Sequence, residues 1–381
     1  MVRRVAAAGA VGHVTPHLGG RVAAMATRAR RRSRPGPRAI AATAALGAVA
    51  AAAAIQRRHL STIARDEDYR RLRAPLDGRP LRITSPDGTE LYAETFGPDG
   101  ADTVVLAPGW TEQLTFWGPV IGRLRAHGLR VVAYDLRGHG RSRPAVDGDY
   151  SLERFGEDVE AVLAAAGAGA GHEPATVVGH SLGAMSIAAW AERYDPRTRA
   201  RATALINTGL GDLVAGHLLL PQAARFLNHP WASRAVLGSK ARVPPFSTPV
   251  QQAMIRYTAF GPGASRGEVA FYERMLIDTP PDARAAVGVA LSSMDLWHAV
   301  ASITVPTLVI AGAVDRLTPP AHARRIAEAL PHPVGLLELP DTGHMAPLER
   351  PDEVADALAR LVHDTATDDT AAAPVVSGDG R

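Results

Sequence analysis

The chain has 381 residues, 46% hydrophobic and 21% charged, which suits one large globular domain with appendages. It contains no cysteine, which excludes disulfides, a thiolate nucleophile and cysteine–metal sites. Residues 1–60 hold eleven arginines and no acid, leaving 31 basic against 38 acidic residues in the remainder, so the formal charge of +4 belongs to the leader and gives no ground for expecting the body to bind nucleic acid.

The basic leader, 1–60, contains a charge-free run from Ala39 to Ile55, AIAATAALGAVAAAAAI. Arg28, Arg30 to Arg32, Arg34 and Arg38 precede it, and Arg57 and Arg58 follow. As a helix the run reaches about 25 Å, short of the ~30 Å hydrocarbon core of a bilayer. Three readings stay open. The run is an N-terminal membrane anchor, with the larger arginine cluster keeping the N-terminus cytoplasmic. Alternatively it is a cleaved export signal, or a mostly disordered leader on a cytoplasmic protein. Met25 offers a second start that would leave a shorter basic region.

From Leu81 the pattern changes. Leu81–Thr84 and Glu90–Thr95 flank Pro86-Asp87-Gly88, a strand–turn–strand signal. Short apolar runs follow at 103–107 (TVVLA), 130–134 (RVVAY), 175–178, 202–206 (ATALI), 307–310 (TLVI) and 334–339 (VGLLEL), the pattern of buried parallel strands. Helical patterns lie between them, at 152–166 and 321–330 for example. The alternation predicts an α/β fold with a doubly wound, mostly parallel sheet of eight strands, over 81–362. The interval 213–302 shows no convincing strand and several prolines, and reads as an inserted helical cap. Residues 363–381 are small and polar, and read as a disordered tail.

The stretch TVVGHSLGAM, residues 176–185, runs from a strand through Ser181 into small helix formers. A serine between Gly179 and Gly183 at a sharp strand-to-helix turn is the pattern G-x-S-x-G, in which the small flanking residues let helix and strand approach. A hydroxyl is a weak nucleophile alone, so a base and an orienting acid must come from elsewhere. Asp315, in AGAVDRLTP after the TLVI run, and His344, in DTGHMAP after the VGLLEL run, both fall on loops at carboxyl ends of strands. Asp212, after the ATALI run, is the alternative acid. Leu182 N–H and, from the loop Ala107-Pro108-Gly109-Trp110, Trp110 N–H are the expected oxyanion donors.

With the elbow, the Asp loop, the His loop and the segment DLRGHGRS at 135–142 in this order, residues 81–362 resemble the α/β-hydrolase family in its serine-nucleophile, capped, esterase- and lipase-like branch. Pro108 departs from the histidine that many relatives carry before the glycine. The resemblance implies a serine hydrolase with Ser181, His344 and Asp315 as its triad, needing no cofactor. It implies carboxylic esters as substrates, and the cap and leader suggest a medium-to-long or lipid-like acyl group. The alternatives on the same triad are a C–C bond hydrolase, for which Arg256 or Arg274 would bind the substrate's acid, and a perhydrolase. A non-catalytic binding protein of this fold is the alternative of another class. No His/Asp/Glu grouping has metal-ligand spacing, so no metal is expected. Substrate identity and oligomeric state are not legible at this level.

Overall fold

The computed structural model describes residues 37–169, 172–211 and 230–371. The chain divides into residues 1–55 and 56–381.

In the first unit the described residues are helical, and every side chain from Ala41 to Ile55 is exposed. The helix, α1, runs Pro37–Arg65 and so continues past Arg57 and Arg58. Among the described residues no helix is long and apolar enough to cross a membrane. This corrects the expected spanning anchor at 39–55. Alanine dominates the run and is only weakly apolar, so a continuous helix forms without the hydropathy that insertion requires.

The second unit carries α2 (Glu67–Leu72) and then the sheet strands β1 (Arg79–Thr84), β2 (Glu90–Phe96) and β3 (Thr103–Ala107). Helix α3 (Gly118–Ala126), β4 (Arg130–Tyr134), α4 (Leu152–Ala165), β5 (Ala175–His180), α5 (Leu182–Arg193) and β6 (Ala200–Ile206) follow. After β6 come α6 (Pro230–Leu237), α7 (Pro249–Ala259), α8 (Arg266–Asp278) and α9 (Pro281–Ser292), the described part of the interval expected to be helical. The chain closes with β7 (Thr307–Gly312), α10 (Pro320–Ala329), β8 (Pro333–Leu339), α11 (Ala346–Glu349) and α12 (Pro351–Ala371). The last helix corrects the expected start of the tail at 363. Thr365 is buried and its hydroxyl donates to the Leu361 carbonyl, so packing carries the helix past that point.

The eight strands form one sheet in the order β1-β2-β4-β3-β5-β6-β7-β8. β2 is antiparallel to both β1 and β4, and all remaining pairs are parallel. Alternating side chains feed two cores. Val105, Val177 and Val309 pack with α4, α5 and α10, whereas Val104, Val178 and Ile310 pack with α3 and α12 on the other face. Both faces are covered, which explains the nearly continuous apolar strands. The fold is thus the doubly wound, mostly parallel α/β sheet expected.

Register sets the site. Ala107 lies beside Gly179, His180 beside Ile206, Ile206 beside Ile310, and Gly312 beside Leu339. The carboxyl ends of β3, β5, β6, β7 and β8 therefore finish at one edge. The loops after them carry Trp110, Ser181, Asn207, Asp315 and His344.

Candidate active site

Ser181 sits between β5 and α5 at φ 50° and ψ −115°, a region that residues with a Cβ rarely enter. Its backbone is over-determined. Ser181 N–H donates to the Ile206 carbonyl, and its own carbonyl accepts from Ala184, Met185 and the Thr208 hydroxyl. The flanking glycines are needed for space: a Cβ on Gly179 would lie 2.4 Å from Ala184 N, and one on Gly183 would lie 2.2 Å from the Ala107 oxygen. All four non-glycine residues with positive φ among the described residues, Thr111, Ser181, Asn207 and Asp341, follow carboxyl ends of β3, β5, β6 and β8. Backbone strain is thus gathered around this one edge.

His344 and Asp315 meet on the loops after β8 and β7. His344 Nδ1 lies 2.8 Å from Asp315 Oδ2, and both residues are 4% exposed. Burial by itself would raise the Asp315 pKa. The nearby His344 imidazole, with hydrogen bonds from Thr318 and Asn207, outweighs it and holds the carboxyl below the usual range. Asp315 Oδ1 accepts from the N–H groups of Leu317 and Thr318, while Oδ2 also accepts from the Thr318 hydroxyl and Asn207 Nδ2. A carboxylate held this way is fixed in both position and charge. The alternative acid, Asp212, lies outside the described residues.

Leu182 opens α5, so its N–H has no acceptor within the helix and lies at the positive end of the helix dipole. Trp110 stands in the loop after β3, between Gly109 and Thr111. Trp110, Ser181 and His344 line one cavity of about 250 Å³. Most of its remaining wall is apolar, with Met185, Leu237, Ile255, Leu276 and Leu291 contributed by α5 and the helices of the inserted interval. Arg316 lines it too, donating to the Tyr257 carbonyl and stacking 4.5 Å from the Tyr257 ring centroid.

Several groups around this cavity were not anticipated. Asn207 follows β6 directly and bridges Asp315 and the Gly343 carbonyl. An asparagine directly after the ATALI run was the available sequence signal, because asparagine tolerates the left-handed conformation it takes here, φ 46°. Glu112 is 1% exposed beneath the β3 loop, and its carboxylate accepts from Gly109 N–H and meets His180 Nδ1 at 2.9 Å. A lone acid in an otherwise uncharged loop gave little hint of it. Glu349 holds the histidine loop, accepting from the N–H groups of Gly343 and Met345, and it also accepts from Gly261.

Other expectations find different places. Arg256 donates to the carbonyls of Pro262 and Ala264, Arg274 pairs with Asp278, and neither lines the cavity, so the acid-binding role considered for them has no support. The DLRGHGRS segment is structural. Asp135 accepts from Leu114 and Arg141 N–H groups, and Arg137 forks onto Asp158. Among the described residues no group of three His, Asp or Glu is placed to hold a metal ion.

Known proteins resemble this chain over most of its length. Residues 99–350 match the family described as "Serine aminopeptidase, S33". RutD of Variovorax paradoxus strain S110 is 31% identical over 257 residues, covering 67% of this chain and 89% of RutD. The 3-oxoadipate enol-lactonase 1 of Acinetobacter baylyi is 26% identical over 301 residues, covering 74% of this chain and 96% of that protein. The crystal structure of the enol-lactonase from Burkholderia xenovorans LB400 superposes with a TM-score of 0.59 at 26% identity, covering 75% of this chain and 100% of that one. A serine elbow, an aspartate–histidine pair and a matching stretch of 252 residues lead to one conclusion: the chain is a hydrolase of the serine aminopeptidase S33 family, within the α/β-hydrolase fold.

Proposed function

We propose that this enzyme hydrolyses carboxylic esters through an acyl-enzyme on Ser181. His344 takes the serine proton as the hydroxyl attacks the ester carbonyl, and Asp315 orients the imidazole and offsets its developing charge. The N–H groups of Leu182 and Trp110 receive the oxyanion. His344 then protonates the departing alcohol, and a water activated by the same imidazole releases the acid.

The observation that carries this reading is the Asp315–His344 contact on loops flanking a strained Ser181, with Ser181 and His344 in the same apolar cavity. Helices α6–α9 act as the cap over the sheet edge. The cavity volume of about 250 Å³ falls below the ~300 Å³ at which drug-sized pockets begin. It favours a short or medium acyl chain, at or below the lower end of the medium-to-long range suggested by the sequence. The enol-lactonases named above cleave a cyclic ester bond, which supports ester chemistry on this scaffold. For residues 39–55 the flanking arginines support contact with an anionic membrane surface and not a span. Co-sedimentation of the full chain with anionic vesicles checks that point.

The test is turnover of p-nitrophenyl esters from acetate to palmitate by the full chain and by Ser181→Ala. The expected result is hydrolysis by the parent alone, with an optimum at short or medium chains. Turnover surviving in Ser181→Ala would overturn the assignment. No turnover of any ester by a folded parent would move the reading to other bonds.

A further inference from the structure

His180 precedes the nucleophile and is fully buried, with each ring nitrogen facing an acceptor. Nδ1 meets the Glu112 carboxylate, at 2.9 Å to one oxygen and 3.0 Å to the other. Nε2 lies 2.8 Å from the backbone carbonyl of His344. A neutral imidazole has one N–H and one lone pair, so it cannot donate to both. With Glu112 ionised, only the doubly protonated ring satisfies both contacts; a neutral ring would need the proton on the Glu112 carboxyl instead. Burial alone would lower the His180 pKa, but the Glu112 carboxylate and the His344 carbonyl outweigh it and hold it above the usual value.

The surroundings leave the ring little freedom. The Phe116 ring lies at 4.9 Å, Trp117 at 6.4 Å and the His344 ring at 4.9 Å, centroid to centroid. The other charged group facing His180 is Asp315, across the His344 loop. His139 and Tyr272 are the remaining titratable neighbours of Glu112, and burial drives His139 down and the Tyr272 hydroxyl up, so both stay neutral.

Glu112 also accepts from Gly109 N–H, one residue before Trp110. A Cβ on Gly109 would lie 2.8 Å from the Glu112 carboxylate, so the glycine is what allows the approach. One carboxylate therefore reaches two loops. It holds the oxyanion loop directly, and through His180 it holds the backbone of His344.

We propose that Glu112 and His180 form a buried ion pair that fixes the oxyanion loop and the catalytic histidine relative to each other, making both of them positioning residues. The inference rests on the reading of Ser181 and His344 as the reacting pair. His180 is fully buried, and Glu112, although it borders the cavity, is 1% exposed with its carboxylate turned to Gly109 and His180. Their effect falls on transition-state geometry, and so on kcat before KM.

Two measurements test it. In the parent, side-chain ¹⁵N spectra of His180, assigned by its loss in His180→Asn, should show two protonated ring nitrogens at neutral pH. A singly protonated ring would overturn the proposal, and this readout needs no variant to retain activity. In Glu112→Gln, which keeps the shape and an oxygen for Gly109 but removes the charge, kcat on the best p-nitrophenyl ester should fall by about 10- to 100-fold. KM should stay within about twofold, and Glu112→Ala should lose more than Glu112→Gln. Parent-like kcat in Glu112→Gln, or a loss confined to KM, would also overturn it. Ser181→Ala run alongside separates the two ideas. Turnover surviving there refutes the acyl-enzyme, whereas its loss there with unchanged kcat in Glu112→Gln refutes the ion pair alone.

Discussion

Asp315 Oδ2 and His344 Nδ1 lie 2.8 Å apart, and the same oxygen also receives Thr318 Oγ1 at 2.8 Å and Asn207 Nδ2 at 2.9 Å. Three donors on one oxygen leave the carboxylate a single useful orientation. Asp315→Asn presents either a second donor or a weaker acceptor to Nδ1, which selects the wrong imidazole tautomer. We expect kcat to fall by about 10³- to 10⁴-fold with the fold intact, read by ester turnover and circular dichroism. Stability should respond to pH as well. The Asp315 pKa is depressed in the folded state, so its stabilisation is present above the unfolded value of 3.8 and is lost as pH falls through the lower folded value. The stability gap between parent and Asp315→Asn should therefore narrow in acid below pH 3.8. A gap unchanged down to pH 2 would contradict the assignment.

The glycines of the elbow give a sharper steric prediction. A Cβ at Gly183 would lie 2.2 Å from the Ala107 oxygen and 2.8 Å from that of Pro108, both backbone atoms that cannot swing away. Gly183→Ala must push α5 off β3 or distort the oxyanion loop. We expect it to cost at least ~3 kcal/mol in urea denaturation and to abolish turnover. Gly122→Ala is the control, because nothing lies within 4 Å of a Cβ there. Equal stability of the two variants would show that the elbow is less tightly packed than the distances state.

Much of this site was legible in the sequence because its parts carry local signatures. G-x-S-x-G announces a turn through steric need, and Asp315 and His344 each follow a short apolar run that fits a buried strand. The parallel order then brings three distant loops to one edge. Asn207, Glu112 and Glu349 were not legible, since each has at least one partner far away in the chain that only the fold brings near. Glu112 meets Gly109 nearby but reaches His180 only through the β3–β5 register, and Glu349 joins Gly343 to Gly261 across 82 residues. The leader was ambiguous for another reason. A charge-free run flanked by arginines is compatible with an anchor, a signal or a leader, and only the low hydropathy of alanine weighs against the span.

Arg137 is 0% exposed and donates to both oxygens of Asp158 at 2.7 Å, and to Asp87 at 2.8 Å. Asp158 is equally buried and takes a further bond from the Ser85 hydroxyl. This charge cluster ties the β1–β2 turn to α4. Removing one partner leaves the others as uncompensated buried charges. Arg137→Ala should therefore destabilise by about 3–5 kcal/mol, read by denaturation, while kcat of the remaining folded enzyme changes little. A proportionate loss of kcat without loss of stability would instead give Arg137 a role in the site.

Glu349 offers the clearest titration. Burial pushes its carboxyl up to about 7, against the backbone N–H donors of Gly261, Gly343 and Met345 that favour the ionised form. Its ordinary value is 4.5, so between pH 4.5 and about 7 the folded state keeps a proton that the unfolded chain has released. Stability must then fall as pH rises through that window, by ~3 kcal/mol across it at ~1.4 kcal/mol per pH unit. The contribution is complete below pH 4.5 and gone above about 7. Glu349→Gln removes the titration and keeps the size, adding a pH-independent cost for one backbone bond. The parent-minus-variant stability, from urea denaturation at half-unit steps, should decline over this window and level off above it. Ionisation also joins the loop of His344 to the segment at Gly261 by a charged hydrogen bond, so the same variant should show whether turnover follows that step. A difference in stability that stays flat from pH 4.5 to 8 would mean that the three N–H donors win over burial and that Glu349 is ionised throughout.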